Sequence, residues 1–148
     1  MEVAKYQLKS ERSLTTFEFI SEGPKGLIRK KIQYQFTSTP NLYNLAFGDI
    51  NRETGEIDDL VVSNNGDSEK VLATVVASVY AFFDRHPGAY VYATGSSPAR
   101  TRLYRIGISK FYEIIIRDFF LNGQEGDEFC EFKLGVEYVG FLAQRKFE

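Results

Sequence analysis

The sequence is poor in the side chains on which most catalytic and metal sites depend. Its 148 residues include one cysteine, one histidine and no tryptophan. A single Cys130 cannot form an internal disulfide, so nothing requires an oxidising compartment. His86 directly precedes Pro87 at the end of a helix pattern, where it would interact with the helix dipole rather than act as a base. Because the chain also lacks a P-loop, a dinucleotide fingerprint, zinc-ligand spacing and a nucleophile elbow, we predict no catalytic residue, metal or cofactor.

Long hydrophobic runs and an excess of one charge are missing as well. No uncharged run approaches the ~20 residues that a membrane-spanning helix needs, and Met1–Lys5 lacks the apolar core of a signal peptide. Lysine and arginine total 18 against 20 aspartate and glutamate residues, giving a net charge of −2. This balance argues against a generally basic nucleic-acid binder. We therefore expect a soluble cytoplasmic protein without a membrane partner.

Aromatic residues, in contrast, are plentiful. The chain has 13 Phe and 9 Tyr among 43% hydrophobic residues, which is typical of an ordered domain with an aromatic core. Its length fits a single domain over residues 1–148. Because exposed Tyr and Phe are also common at interface cores, a homodimer stays open.

The first half of the chain has the two-residue hydrophobic period of β-strands. A turn signal at Gly23–Gly26 separates two of them. The strands are expected at Tyr6–Leu8, Thr15–Ser21, Leu27–Phe36, Leu42–Asp49 and Asp59–Ser63.

The second half has two helix patterns. The first begins after an N-cap at Asp67 and ends at His86–Gly88. The second begins after Ser97 and runs to about Ile115. Strands are expected at Ala89–Thr94, from about Ile116 to a turn at Asn122-Gly123, and at Glu137–Arg145.

These elements predict an α+β fold in the order β-β-β(-β)-α-β-α-β-β. The sheet is expected to be twisted, mostly antiparallel and flanked by two main helices. The crossover into Ala89–Thr94 predicts one parallel pairing.

Four sequence blocks carry a fairly specific signature over almost the whole chain. They are Tyr43–Asp49, Ser63–Asp67, Val71–Val75 and Gly95–Arg105. In these blocks the chain resembles a family of small uncharacterised bacterial proteins, a domain of unknown function. The resemblance implies a shared fold and ancestry, and it implies no activity.

A second resemblance concerns the segment after Ser96. Leu103-Tyr104 and Gly107 are similar to the Asn-x-x-Ala-x-x-Leu-Tyr-x-x-x-Gly-Phe stretch of GCN5-related N-acetyltransferases, and the order of elements after Leu42 is similar too. Ser96 stands at the position of the Asn, and Ile108 replaces the Phe. The resemblance implies an acetyltransferase-like fold.

The chain departs from that family at its CoA loop. The family holds the CoA pyrophosphate on a loop that reads Arg/Gln-x-x-Gly-x-Gly/Ala. The corresponding loop here, Asn64–Lys70, has one glycine, and Asp67 and Glu69 would repel a pyrophosphate. The resemblance therefore implies a fold in which CoA binding is lost.

The strongest candidate site lies where a strand runs into the second helix. Ser97 is a suitable N-cap, and Pro98 fits the first helical position. The helix end and the nearby guanidinium groups would suit an anion. The predicted anion site consists of Gly95, Ser96, Ser97, Arg100, Arg102 and Arg105. In the alternative interpretation, the arginines pair with acidic residues or stack on tyrosines.

Two further clusters of charge have structural explanations. Lys25, Arg29 and Lys31 would form a platform for single-stranded nucleic acid if aromatics were exposed beside them, and otherwise a solvated sheet face. Carboxylates at a sheet rim could hold metals, but turns and caps also need Asp. These carboxylates belong to Asp49, Asp58, Asp59 and Asp67.

The sequence therefore favours a non-catalytic binding or interaction domain whose partner is an anionic ligand or a protein. Two other function classes stay open. One is an enzyme of acetyltransferase fold with a degenerate CoA loop. The other is a nucleic-acid-associated component of bacterial defence or of a toxin–antitoxin system.

Overall fold

The computed structural model of the protein describes residues 4–58, 64–95 and 97–146. The strands and helices follow one another as β1 (Lys9–Ser10), β2 (Thr16–Gly23), β3 (Gly26–Phe36), β4 (Leu42–Asp49), α1 (Ser68–Arg85), β5 (Tyr90–Ala93), α2 (Pro98–Lys110), α3 (Tyr112–Asp118), β6 (Phe119–Glu125), β7 (Glu128–Glu131) and β8 (Gly140–Arg145). The strands form one mixed sheet in the order β1-β2-β3-β4-β5-β8-β6-β7. The α+β class is confirmed.

The pairing of the strands follows from their connections. Antiparallel pairs join β1 to β2, β2 to β3, β5 to β8, β8 to β6 and β6 to β7. Leu42–Leu45 of β4 runs parallel to Tyr90–Ala93 of β5, because α1 returns the chain to the same end of the sheet. The predicted mostly antiparallel sheet with one parallel pairing is confirmed.

The chain divides into two compact units. The first comprises the described residues up to 34 and residues 46–85, and the second comprises residues 35–45 and those from 86 onward. The single domain over residues 1–148 stays a prediction. No helix among the described residues combines the length and the apolar character that crossing a membrane requires.

In the first unit, α1 packs an apolar face on the inner face of β2 and β3. The ring of Tyr34 stacks on Phe82 with centroids 4.3 Å apart, and its hydroxyl lies 2.8 Å from Ser78 Oγ. Phe17 meets the edge of Tyr34. Burying one such side chain contributes about 1.5–3 kcal/mol. The helix predicted for α1 is confirmed, but it is buried on more than one face, since the six consecutive residues Val71–Val76 are all buried.

In the second unit, the helix predicted to begin after Ser97 is two helices, so the described residues form three helices where two main ones were expected. α2 ends at Lys110 and α3 begins at Tyr112, with Phe111 between them at φ −106° and ψ 22°. Helical hydrogen bonds continue across the junction, from Phe111 N–H to Gly107 O and from Ile115 N–H to Phe111 O. The expected strand at residues 116–118 is therefore wrong, because these bonds outweigh the strand propensity of the isoleucines.

The hairpin that follows also differs from the prediction. Gly123 pairs with Cys130 inside the ladder, so Asn122-Gly123 is not a turn. The turn lies between Glu125 and Glu128, where Gly126 has a positive φ of 59°. β7 was not predicted, because its four exposed residues show no burial pattern. β8 begins at Gly140, three residues later than expected.

The N-terminal segment departs from the prediction for another reason. Tyr6–Leu8 is not a strand, since Tyr6 N–H donates to the side chain of Thr74 on α1 at 2.8 Å. The short first strand is instead Lys9–Ser10. The expected strand at Asp59–Ser63 lies outside the described residues.

Candidate functional site

The start of α2 is capped by its own side chains. Ser97 has extended backbone angles, and its Oγ accepts a hydrogen bond from Arg100 N–H at 3.3 Å. Ser97 O accepts from Thr101 N–H at 3.1 Å. Pro98 occupies the first turn, where a missing N–H costs nothing. The predicted N-cap at Ser97 and the role of Pro98 are confirmed.

Gly95 allows the end of β5 to approach this first turn closely. Its N–H donates to Thr101 Oγ1 at 2.9 Å. A Cβ at this position would lie 2.3 Å from Thr101 N and 2.5 Å from the Cβ of Arg100, which is far too close. A glycine is therefore required where the strand meets the helix.

A cleft of about 570 Å³ opens beside this turn, and we refer to it as the α2 cleft. Its lining residues are Gly95, Ser97, Pro98, Thr101, Arg102, Arg105, Glu137, Tyr138 and Val139. Four residues of the predicted anion site thus lie together. Arg100 is only 7% exposed, so its guanidinium is buried within the fold. Ser96 lies outside the described residues.

The charge of the α2 cleft comes from two arginines on one helical face. Arg102 and Arg105 are three residues apart, so their side chains are neighbours. Arg105 Nη1 lies 4.0 Å from Glu137 Oε1, at the limit of an ion pair, and the Glu137 side chain is 89% exposed. Because the Glu137 side chain is solvated, this pair contributes only about 0–1 kcal/mol. The cleft therefore has a weakly compensated positive wall.

Glu137, Tyr138 and Val139 form the opposite wall of the cleft. Burial raises the pKa of the Tyr138 phenol, so this residue stays neutral around pH 7. Its hydroxyl accepts a hydrogen bond from Lys133 N–H at 3.0 Å. Sequence reasoning missed this wall, because no local pattern predicts that β8 pairs with β5. This pairing places the loop before β8 beside the cleft.

The start of α1 differs in that it holds a carboxylate of the protein itself. Asp67 O accepts the first helical bond from Val71 N–H at 3.0 Å, which confirms Asp67 as the N-cap residue. Asp67 Oδ2 accepts hydroxyl hydrogen bonds from Tyr6 at 2.6 Å and Ser21 at 2.5 Å. Burial and the bond to Asp67 raise the pKa of Tyr6. The positive end of this helix is thus occupied by an internal anion.

Asn65 fastens the same loop to the β2–β3 hairpin. It is 2% exposed, and its Nδ2 donates to Gly26 O at 2.9 Å and to Ser21 Oγ at 3.2 Å. Its Oδ1 accepts from Lys25 N–H at 2.7 Å. A Cβ on Gly23 would lie 1.9 Å from Asn65 O. The loop that was compared with a CoA loop is therefore packed against the hairpin and carries a carboxylate.

The three residues of the secondary basic patch differ in exposure and in their partners. Arg29 donates to Glu18 Oε1 at 3.1 Å. Lys31 is 9% exposed and donates from Nζ to Gly55 O at 2.9 Å. Lys25 is exposed. Two of the three predicted patch residues are thus engaged within the first unit.

The remaining candidates for metal or nucleophilic chemistry include Asp49, Cys130 and His86. Asp49 is buried and forms an ion pair with buried Lys30, which explains the lysine on the inner face of β3. Cys130 is exposed, and His86 lies 5.7 Å from the ring of Tyr43. Within residues 4–58, 64–95 and 97–146, no group of three or more His, Cys, Asp or Glu is arranged to hold a metal ion. Asp59 lies outside these ranges.

Comparison with known proteins gives one family. A family of unknown function, DUF6934, matches residues 2–146. No curated protein and no solved structure matches the chain, so the acetyltransferase resemblance is not confirmed. The family match covers nearly the whole sequence, in agreement with the resemblance to an uncharacterised family. The chain therefore belongs to DUF6934, a family of unknown function.

Proposed function

We propose that the protein is a binding domain that receives a carboxylate or phosphate group of its partner in the α2 cleft. The observation that carries this proposal is the pair Arg102 and Arg105, which line a cleft of about 570 Å³. Among the described residues that line the cleft, Glu137 is the only one with a carboxylate, and it lies 4.0 Å from Arg105. An incoming anion would replace this weak contact with charge-assisted hydrogen bonds.

The size and chemistry of the cleft suit a small anionic group. Its volume falls within the ~300–1,000 Å³ typical of ligand pockets. Guanidinium groups present planar pairs of donors that match carboxylate and phosphate oxygens. Since the cap of α2 already uses the N–H groups of Arg100 and Thr101, the arginine side chains supply the attraction.

The arrangement of the other charges favours this function over the two alternatives. An enzyme that binds CoA at the start of α1 would have to bring a pyrophosphate next to Asp67, whose carboxylate already accepts two hydroxyl hydrogen bonds there. A nucleic-acid platform on β3 would have to use Arg29 and Lys31, which have partners of their own.

The proposal is tested by titrating the protein with inorganic phosphate, citrate and coenzyme A while its melting temperature is followed. An anion at 100 times its Kd should stabilise the fold by about 2.7 kcal/mol. Arg102→Gln and Arg105→Gln should reduce this shift. Arg12→Gln is the matched control, because Arg12 is an exposed arginine outside the cleft. Equal shifts in all three variants, or no shift in the wild type, would contradict the proposal.

A further inference from the structure

β7 lies at one end of the sheet, and its outer edge is open. In the sheet order β7 is terminal, and among the described strands it pairs with β6 alone. All four of its residues are exposed. An open edge presents unpaired N–H and C=O groups that can accept a further strand.

The hydrogen-bond register shows which residues face this edge. Phe132 N–H donates to Leu121 O, so the pair of residues 121 and 132 is hydrogen-bonded across the ladder. In an antiparallel ladder such pairs alternate, which makes Gly123–Cys130 the next one. Phe129 and Glu131 therefore direct their backbone N–H and C=O groups away from β6.

The hairpin that carries this edge is strongly acidic. Glu125, Asp127, Glu128 and Glu131 are all exposed, and no lysine or arginine occurs between residues 118 and 132. None of the four carboxylates forms an ion pair with another residue in the described part of the chain. Phe129, in their midst, is 46% exposed.

We infer that the edge of β7 is a docking site for an extended basic segment of a partner protein, which pairs with β7 as an additional strand. The unpaired backbone groups of Phe129 and Glu131 supply the strand pairing. The four carboxylates select lysine and arginine side chains, and Phe129 offers an apolar contact. A second copy of this chain fits poorly, since pairing two β7 strands would bring Glu128 and Glu131 of one copy against the same two residues of the other. Nucleic acid is disfavoured by the same charge.

The test uses the full chain and a fluorescent eight-residue peptide of alternating lysine and valine, with binding followed by anisotropy. A peptide of alternating glutamate and valine is the matched probe. The lysine peptide should bind and weaken as salt rises, because the carboxylates are exposed. Methylation of its backbone nitrogens on alternate residues keeps the charge and removes strand pairing. This peptide should bind at least about tenfold more weakly.

Two variants of the protein separate backbone pairing from charge. Glu131→Pro removes one charge and the backbone N–H that points away from β6, so it removes no hydrogen bond between β7 and β6. Proline is tolerated at such positions of edge strands. Glu131→Gln removes the charge alone. The proline variant should bind the lysine peptide several-fold more weakly than the glutamine variant, and both should keep the thermal transition of the wild type.

Several results would overturn the inference. One is equal binding of the methylated and unmethylated peptides, which would mean that charge alone attracts them. Another is no binding of the lysine peptide at about 1 mM, a concentration at which even a weak site is half filled. A third is a dimer in sedimentation that Glu131→Pro converts to a monomer, which would give the edge to a second copy.

Discussion

The two compact units differ in what their key charged side chains contact: Lys30 and Asp67 of the first unit bind groups of the protein itself, whereas Arg102 and Arg105 of the second unit line an open cleft. Lys30 pairs with Asp49 in the core, and Asp67 receives the hydroxyls of Tyr6 and Ser21. In the second unit, Arg102 is exposed, and Arg105 has an exposed carboxylate at 4.0 Å. Substitution of a charged side chain with an internal partner should lower the free energy of unfolding, whereas substitution of an arginine of the α2 cleft should weaken binding.

The two helix starts illustrate this contrast. α1 begins at a carboxylate that complements the helix dipole from within the protein. α2 begins at a neutral serine, and the charges beside it are positive. An external anion at α1 would meet repulsion, whereas at α2 it would meet attraction. Variants of the two units should therefore affect different measurements.

The largest effect is expected for Lys30→Met. It leaves the Asp49 carboxylate buried and unpaired, so we expect the free energy of unfolding to fall by about 3–5 kcal/mol. Urea denaturation measures this change. The double variant Lys30→Met with Asp49→Leu should recover most of the loss. A single-variant loss below about 1 kcal/mol would show that the pair is not buried in solution.

Asp67→Ala should have the next largest effect. The substitution leaves the hydroxyls of Tyr6 and Ser21 without their acceptor and removes the charge at the helix start. We expect a loss of about 2–3 kcal/mol in the free energy of unfolding. Glu69→Ala, an exposed acidic residue of the same first turn, is the matched control and should cost much less. Similar losses in both variants would contradict the contrast between the units.

Arg105→Gln should affect binding and leave stability nearly unchanged. We expect the affinity for phosphate to fall about tenfold, or about 1.4 kcal/mol. The free energy of unfolding should change by less than about 1 kcal/mol, because the contact to the exposed Glu137 is weak and glutamine keeps most of the Arg105 side chain. Calorimetric titration and urea denaturation measure the two quantities. A large loss of stability with unchanged binding would show that Arg105 is structural.

Tyr6→Phe should change the response of the protein to alkaline pH. The folded state raises the pKa of Tyr6 above 10.0, through burial first and then the bond to Asp67. A raised pKa means that the neutral phenol is favoured on folding. Its contribution is thus complete below pH ~10 and is lost as the pH rises through the folded-state value. The wild type should lose stability there more steeply than Tyr6→Phe in denaturation curves measured at several pH values.

Glu137→Gln should have the smallest effect and the opposite sign. The substitution removes the carboxylate that competes with an incoming anion at Arg105. We expect the affinity for phosphate to rise about two- to threefold at low salt, and the gain to shrink as salt screens the charge. A lower affinity in this variant would mean that Glu137 helps to hold the ligand.

Local patterns in the sequence predicted the parts of the fold that depend on neighbouring residues. The bounds of β4, the strand identity of β2 and β3, and the caps at Asp67 and Ser97 follow from alternation and capping preferences over a few positions. The end of α3 was not predicted, because the strand propensity of the isoleucines favoured a strand from about Ile116, whereas the helix continues to Asp118.

The candidate site was predictable on one side only. Gly95, Ser97, Arg102 and Arg105 lie within eleven residues of each other, so a local motif brought them to attention. Glu137 and Tyr138 reach the cleft because the loop before β8 adjoins β5, and pairing between distant strands leaves no local trace. The burial of Arg100 could not be predicted either, because the residues next to it in the sequence are those expected at an exposed helix end.

The position of β8 also bears on how the protein is made. β8 is the last strand of the described chain, yet it lies between β5 and β6 and pairs with both. During synthesis at about 5–20 residues per second, β5 and β6 are translated before the strand that pairs with both. The second unit cannot complete its strand pairing before Gly140–Arg145 has been made. In the first unit, β2 and β3 are consecutive and can pair as soon as both have been made. The edges of β5 and β6 that face β8 therefore stay unpaired until Gly140–Arg145 has emerged, and this interval is when a chaperone would have most to protect.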